Sequence, residues 1–484
     1  MTEFPEYVNG LPNICGREDQ VAAAMEKPVP LDLVSSGIDF SKMRSCFSIA
    51  LHMHQPLILA ETGDLQTAPV ISNLKYMMDN PQIGDNHNAP VFHWCYKRMG
   101  EFIPALVSEG KQPRVILDYS GCLLHGLRDM GLSDVFENLQ RITCDPAYRR
   151  CVEWLGTAWG HAVAPSTPVQ DFRLHVRAWQ QHFAAIFGLE ALRRVRGFSP
   201  PEMALPNHPD VAYEFVKTLN DCGYRWVLLQ EHTVENLEDG GGLRRPWFPH
   251  RLVATNSEGK TESIVAIIKT QGSDTKLVAQ MQPCYEARSR GRQEFAGKQV
   301  PPLSAQIGDG ENGGVMMNEF PPKFHEVMRE ASGSDVPPIN VAEYLEYLKQ
   351  LGIDETAFPP IRPLYQKKIW DRFHPGEGQS RLDQVIADLK RADNRFHMDG
   401  GSWTNNLSWV RGYDNVLGPI ESVSALFAEK VLGKVSPQEP RYQNALFHLL
   451  LTQTSCYRYW GQGRWTDYAR ELCRRTTGIL NHDF

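Results

Sequence analysis

The sequence predicts an α/β barrel of seven strand–helix units followed by a helical C-terminal region. Three observations predict it. Seven short apolar runs recur between residues 46 and 307, most of them separated by helix-length or longer intervals. Continuous, often β-branched runs of this kind are the pattern of strands buried on both faces of a parallel sheet. Residues able to do chemistry fall repeatedly just after these runs, where a barrel carries its active site. Beyond about residue 338 the strand pattern ceases and amphipathic helix patterns replace it.

Residues 1–44, rich in polar residues and proline, read as an irregular lead-in. The first run, Cys46 to Leu51, leads into His52-Met53-His54-Gln55-Pro56. The second is Arg114 to Tyr119, and the third, Val152 to Ala158, leads into Gly160-His161. The fourth, Val195 to Phe198, leads into Ser199-Pro200-Pro201-Glu202. Proline fixes its own φ and disfavours helix in the residue before it. Ser199 to Pro206 is therefore expected to be a stiff loop that holds one acid, Glu202, in place. The fifth and sixth runs are Arg225 to Leu229 and Ile264 to Thr270; the seventh, Leu303 to Ile307, leads into Asp309-Gly310-Glu311. Val169 to Leu192 and Pro209 to Cys222 read as helices between strands, and that alternation means a parallel sheet. Gly240-Gly241-Gly242 marks a surface loop, with a lid as the other reading.

We place the catalytic barrel with its lead-in at residues 1–330 and a helical domain completing the cleft at 331–484. Val341 to Leu351, Gln379 to Arg391, Glu421 to Leu432 and Tyr442 to Tyr459 are its expected helices. Within it, Trp403-Thr404-Asn405-Asn406 to Trp409 has little apolar periodicity and reads as a loop whose rings and amides suit a sugar.

A net charge of −7 argues against nucleic acid as a partner. No apolar run is long enough to span a membrane. The ten cysteines include no Cys-x-x-Cys pair, which fits free thiols in a reducing compartment; with no basic-then-apolar leader at the N-terminus, the expected location is cytoplasmic. The oligomeric state is not legible.

Two acids, each on a loop after a buried strand, fit glycosidic bond cleavage, which needs one carboxylate as nucleophile or base and one carboxyl as proton donor. Glu202, held by prolines, suits the nucleophile; Asp309, between glycines, suits the acid. His54 and His161 are placed to hydrogen-bond sugar hydroxyls. A second reading is a metal-dependent hydrolase. In a regular strand Met53 projects opposite to His52 and His54, leaving both imidazoles on one face, and His232 and Asp309 would complete the ligand set. The sixth run offers that reading no ligand. A third reading is a non-catalytic glucan-binding protein, which predicts the loss of one acid; both are present.

His52-Met53-His54-Gln55-Pro56, Gly160-His161, Pro201-Glu202 and Asp309-Gly310-Glu311 resemble, in order, the first four signature regions of glycoside hydrolase family 57. Ala445 to Ser455 is similar to the fifth, although Ser455-Cys456-Tyr457 stands where the family often has Ser-Asp-Trp. The resemblance implies an incomplete (β/α)7 barrel followed by a helical domain, α-glucan substrates, a retaining mechanism and no cofactor or metal. It implies Glu202 as nucleophile and Asp309 as general acid/base. It implies substrate binding by His52, His54 and His161, with Trp403, Trp409 and Trp460 in glucan-contacting regions. The family includes 4-α-glucanotransferases, branching enzymes, α-amylases and α-galactosidases; the expectation here leans to transfer.

Overall fold

The computed structural model describes residues 4–60, 63–270, 276–311, 318–403, 414–459 and 463–484. All seven expected strands form: β1 Cys46–Met53, β2 Val115–Tyr119, β3 Val152–Gly156, β4 Gly197–Phe198, β5 Trp226–Gln230, β6 Thr261–Lys269 and β7 Leu303–Asp309. Each pairs in parallel with the next, and β7 pairs with β1, so the ring closes.

Closure is uneven. The strand His250–Thr255 pairs antiparallel with the first part of β6, from Thr261 to Ala266. It occupies that edge, so β6 meets β7 only at Lys269↔Ala305. Pro360–Pro363 continues the sheet outward beside His250–Thr255 and Val234–Asn236. The sequence reading missed these strands; the prolines of Pro360–Pro363 occupy its two ends, where a missing N–H is tolerated. β1 and β7 also run further than expected, in register to Asp309↔His52, so two chemistry-bearing residues stand on strands rather than loops.

Side chains alternate along each strand. Cys46, Ala50, Ile116, Leu155, Leu228, Ile267, Ala305 and Ile307 fill the barrel interior. Phe47, Ile49, Leu51, Met53, Leu117 and Tyr119 belong to the cluster that packs the surrounding helices. Fully burying one large apolar side chain contributes about 1.5–3 kcal/mol, so a one-residue slip of any strand would be strongly disfavoured.

The barrel floor is closed by chain from beyond residue 330. Val341, Tyr344 and Leu348 of the helix Val341–Gln350 join the interior cluster, and Ile339 N–H donates to the Phe47 carbonyl at 3.0 Å. A capping box at Asn340 and Glu343 starts this helix. Glu343 also takes both arms of the buried Arg114 guanidinium, at 2.8 and 2.9 Å.

Other differences have local causes. The lead-in contains a helix, Glu18–Glu26, because Val21, Ala24 and Met25 find a face on Val169–Phe187. The expected Val169–Leu192 helix breaks at Gly188, whose φ is 86°. The expected Tyr442–Tyr459 helix is two, Pro440–Thr452 and Ser455–Tyr459, and Arg464–His482 is a further helix packed against Asp414–Lys430. The Gly240–Gly242 loop is tied down by Asp239, which caps the Gly241 N–H and pairs with Arg244, both at 2.9 Å, and it does not line the cavity described next. All ten cysteines are free, and none of the described helices is long and apolar enough to cross a membrane.

Candidate active site

The C-terminal mouth of the barrel holds a cavity of about 420 Å³. His52, His54, Lys269, Asp309 and Glu311 enter it from the ends of β1, β6 and β7. His161 and Glu202 enter from the loops after β3 and β4, and Trp403, Cys456 and Trp465 from the C-terminal region.

Glu202 sits in a single 3-10 turn, Pro201–Met203, with φ 60°, and Met203 follows with φ 50°. Left-handed backbone at a non-glycine residue costs on the order of 1–3 kcal/mol and persists only where its surroundings over-determine it. Here two prolines fix the entry. Ser199 N–H donates to the Gly156 carbonyl at 2.9 Å, and Leu205 exchanges hydrogen bonds with Gly401 at 2.9 and 3.1 Å. The carboxyl is thereby fixed at the cavity. Its Oε2 accepts the Trp403 indole N–H at 2.8 Å, and its Oε1 lies 3.9 Å from His161 Nδ1.

His161 also has positive φ, 57°. A Cβ on the preceding Gly160 would come within 2.7 Å of the Leu450 carbonyl, so glycine is required by the close approach of helix Pro440–Thr452. Gly160 N–H donates to His175 Nδ1 at 3.1 Å, and His175 Nε2 meets Gln453 Oε1 at 2.9 Å. Arg458, fully buried, donates to the carbonyls of Val163 and Gln453 and to the hydroxyls of Ser166 and Thr167. These contacts fasten the C-terminal helices to the loop that carries His161.

The three histidines form one cluster. The rings of His54 and His161 stack with centroids 3.9 Å apart, and His52 Nε2 lies 2.9 Å from His161 Nε2. His52 Nδ1 meets Asp118 Oδ2 at 2.9 Å; His54 Nδ1 meets Ser120 Oγ at 2.9 Å. Burial alone would lower the His52 pKa, but the charge and hydrogen bond of Asp118, with Asp309 and Glu311 nearby, hold it up at about 10. His54 and His161 are pushed well below the ordinary value by burial and then by neighbouring imidazoles, so both rings are neutral near pH 7.

At the end of β7, Gly310 N–H donates to the His52 carbonyl at 2.7 Å, and a Cβ there would meet Met53 Cε at 2.1 Å. The glycine thus lets β7 pack onto β1 beside Asp309. Glu311 accepts from the His54 N–H at 2.6 Å and the Tyr96 hydroxyl at 3.2 Å. Burial raises its pKa to about 7; His52 pulls the other way and Asp309 adds to the rise. Lys269 Nζ donates to Gln230 Oε1 at 3.1 Å, and burial lowers its pKa to about 8 against the pull of Asp309.

Of the residues predicted from sequence, His52, His54, His161, Glu202, Asp309 and Trp403 all line this cavity. Trp409 and Trp460 lie outside the described residues. The set His52, His54, His232 and Asp309 does not assemble as metal ligands. Both His52 nitrogens are engaged, and His232 Nε2 donates to the Ser402 carbonyl at 2.8 Å. Among the described residues no His, Cys, Asp and Glu group converges in a metal-holding arrangement. Sequence reasoning did not single out Asp118, Lys269, Glu311 or Ser455. A charged residue at the end of an otherwise apolar strand was the available signal for the first two.

No protein-family model matches the chain, and no curated protein sequence matches it. Solved structures do. The chain is similar to 4-alpha-glucanotransferase from Thermococcus litoralis, at 14% identity and a TM-score of 0.55 over 91% of this chain and 60% of that one. It is similar to an exo-type maltose-forming amylase from Pyrococcus sp. ST04, at 12% identity and a TM-score of 0.50 over 91% of this chain and 81% of that one. A GH57-type branching enzyme from Pyrococcus horikoshii aligns at 12% identity with a TM-score of 0.43, over 91% of this chain and 89% of that one. The likeness is one of fold, and the chain spans 60% of the length of the Thermococcus glucanotransferase.

Proposed function

We propose that this chain is a retaining enzyme acting on α-glucans such as α-1,4-linked maltooligosaccharides, with 4-α-glucanotransferase or branching-type transfer as its main reaction. One observation carries the reading: the Glu202 carboxyl is fixed through Oε2 by Trp403 while Oε1 stands beside His161, in the cavity that Asp309 also enters. The solved structures similar in fold include an α-glucan transferase and a maltose-forming amylase.

Glu202 Oε1 attacks the anomeric carbon while Asp309 protonates the departing glycosidic oxygen. The covalent glycosyl-enzyme is then opened by an incoming hydroxyl whose proton passes to Asp309. His54, stacked on His161 and held by Ser120, has Nε2 3.6 Å from Cys456 Sγ and exchanges that weak contact for a sugar hydroxyl. Phe92, Trp403 and Trp465 in the cavity wall support stacking on sugar rings and exclusion of water, which favours a sugar hydroxyl over water as acceptor. The residues after 330 complete the cleft. Plain α-amylase-type hydrolysis is the second reading, from the amylase of similar fold.

The test is the product profile from maltopentaose, wild type beside Glu202→Gln. Longer and shorter oligomers together, lost in the variant, are expected. Shorter products alone mean hydrolysis. Turnover undiminished in Glu202→Gln refutes the assignment.

A further inference from the structure

We infer that Asp118 and Ser455 are positioning residues that fix His161 as the tautomer protonated at Nδ1, bonded there to Ser455 Oγ and standing beside Glu202, an inference resting on Glu202 as the nucleophile. The contacts form one line. Asp118 Oδ2 is 2.9 Å from His52 Nδ1, and His52 Nε2 is 2.9 Å from His161 Nε2. His161 Nδ1 is in turn 2.6 Å from Ser455 Oγ and 3.9 Å from Glu202 Oε1.

A carboxylate only accepts, so His52 carries a proton on Nδ1. Two ring nitrogens at hydrogen-bond distance share one proton, which belongs to one ring or the other. Burial decides which. Asp118 is 1% exposed, and its Oδ1 has no hydrogen-bond partner among the described residues. An anion so placed is stabilised by a positive neighbour. Doubly protonated His52 touches it, while Asp309 and Glu311 at the end of β7 add to the same demand. On the other side His52 faces the His54 and His161 rings, and Lys269 lines the same cavity.

His52 therefore donates to His161 Nε2, and His161 keeps its own proton on Nδ1. In the opposite arrangement Nδ1 would take the Ser455 hydroxyl proton, and the ring would turn its electron-rich edge rather than its positive edge to Glu202 Oε1 at 3.9 Å. Ser455 closes the line: its Oγ accepts the Nδ1–H, and its backbone N–H donates to the His161 carbonyl at 3.1 Å. Ser455 opens the helix Ser455–Tyr459, so the C-terminal region helps fix the orientation of a ring carried by the barrel.

With the Nδ1–H bonded to Ser455 at 2.6 Å, what stands 3.9 Å from Oε1 is the positive edge of a polarised imidazole, and its attraction grows as charge returns to the carboxylate. In the second half-reaction the C1–Oε1 bond breaks and its electron pair returns to Glu202. The incoming hydroxyl oxygen bonds to C1 and its proton goes to Asp309. The line of residues assists that departure.

The test is long-range proton–nitrogen NMR of the full chain labelled with nitrogen-15 histidine at pH 7, wild type beside Asp118→Asn and Ser455→Ala. Wild type is expected to show both His52 nitrogens protonated and His161 protonated at Nδ1 alone. In Asp118→Asn, His52 becomes neutral, the His161 proton moves to Nε2, and kcat falls by about 10²-fold with little change in KM. Ser455→Ala keeps the tautomer, since His52 still sets it, but lowers kcat. A wild-type His161 protonated at Nε2, or an Asp118→Asn spectrum with His161 unchanged, overturns the proposal. The wild-type spectrum decides even if Asp118→Asn does not fold. Activity surviving in Glu202→Gln would instead remove the nucleophile reading and leave the spectra as they are.

Discussion

Trp403 holds Glu202 twice: its indole N–H donates to Oε2 at 2.8 Å, and its backbone N–H donates to the Glu202 carbonyl at 3.0 Å. A residue from the C-terminal region thus fixes both the side chain and the strained backbone of the proposed nucleophile. Trp403→Phe keeps the ring and removes one charge-assisted hydrogen bond, about 1.5–3 kcal/mol. We expect kcat to fall by about 10- to 100-fold while the thermal midpoint changes little. Steady-state kinetics beside a melting curve checks both; unchanged kcat would mean that the clamp is dispensable.

Asp309 is assigned to proton transfer, and a leaving group that needs no proton should bypass it. Asp309→Ala is expected to lose at least about 10³-fold on maltooligosaccharides and far less on an activated aryl or fluoride glycoside in the glycosylation step. Equal losses on both substrates would contradict the role.

The His52–Asp118 pair makes stability depend on pH. The folded His52 pKa, about 10, lies above its ordinary value of 6.5. Its contribution is therefore fully present below about pH 6.5 and is lost as pH rises through 10. The thermal stability gap between wild type and Asp118→Asn should be widest near pH 6 and should narrow toward pH 10. Calorimetry across that range checks it, and a gap that widens with pH would be the wrong sign.

Arg458 joins the helix carrying Ser455 and Cys456 to the loop at residues 163–167. Arg458→Met leaves buried carbonyls and hydroxyls without donors, at about 1–3 kcal/mol for each group that water cannot reach. Stability and kcat should fall together, because Ser455 loses its place against His161. A destabilised but fully active variant would separate the clamp from the site.

Much of this arrangement was legible in the sequence, for physical reasons. Seven buried strands must be apolar throughout, so runs such as Ile264 to Ile268 stand out. The proline pair before Glu202 announced a fixed loop. His250–Thr255 was less visible, because half its side chains are only partly buried and its pattern resembles a polar surface segment. The break between Thr452 and Ser455 had no local signal. Gln453 is drawn out of the helix by His175, Asp171 and Arg458, all distant in sequence or fixed by packing. Asp118 and Lys269 left a signal that went unused, charge at the end of an apolar strand, because a barrel mouth accepts charge where its interior does not.

The most direct measurement is covalent trapping. A fluorinated glucosyl donor with a good leaving group slows the second step and lets the glycosyl-enzyme accumulate. Peptide mass spectrometry after digestion should then find one added glucosyl group on the peptide containing Glu202, and none in Glu202→Gln. Label on a peptide without Glu202, or turnover of the donor with inversion and no adduct, would contradict the account.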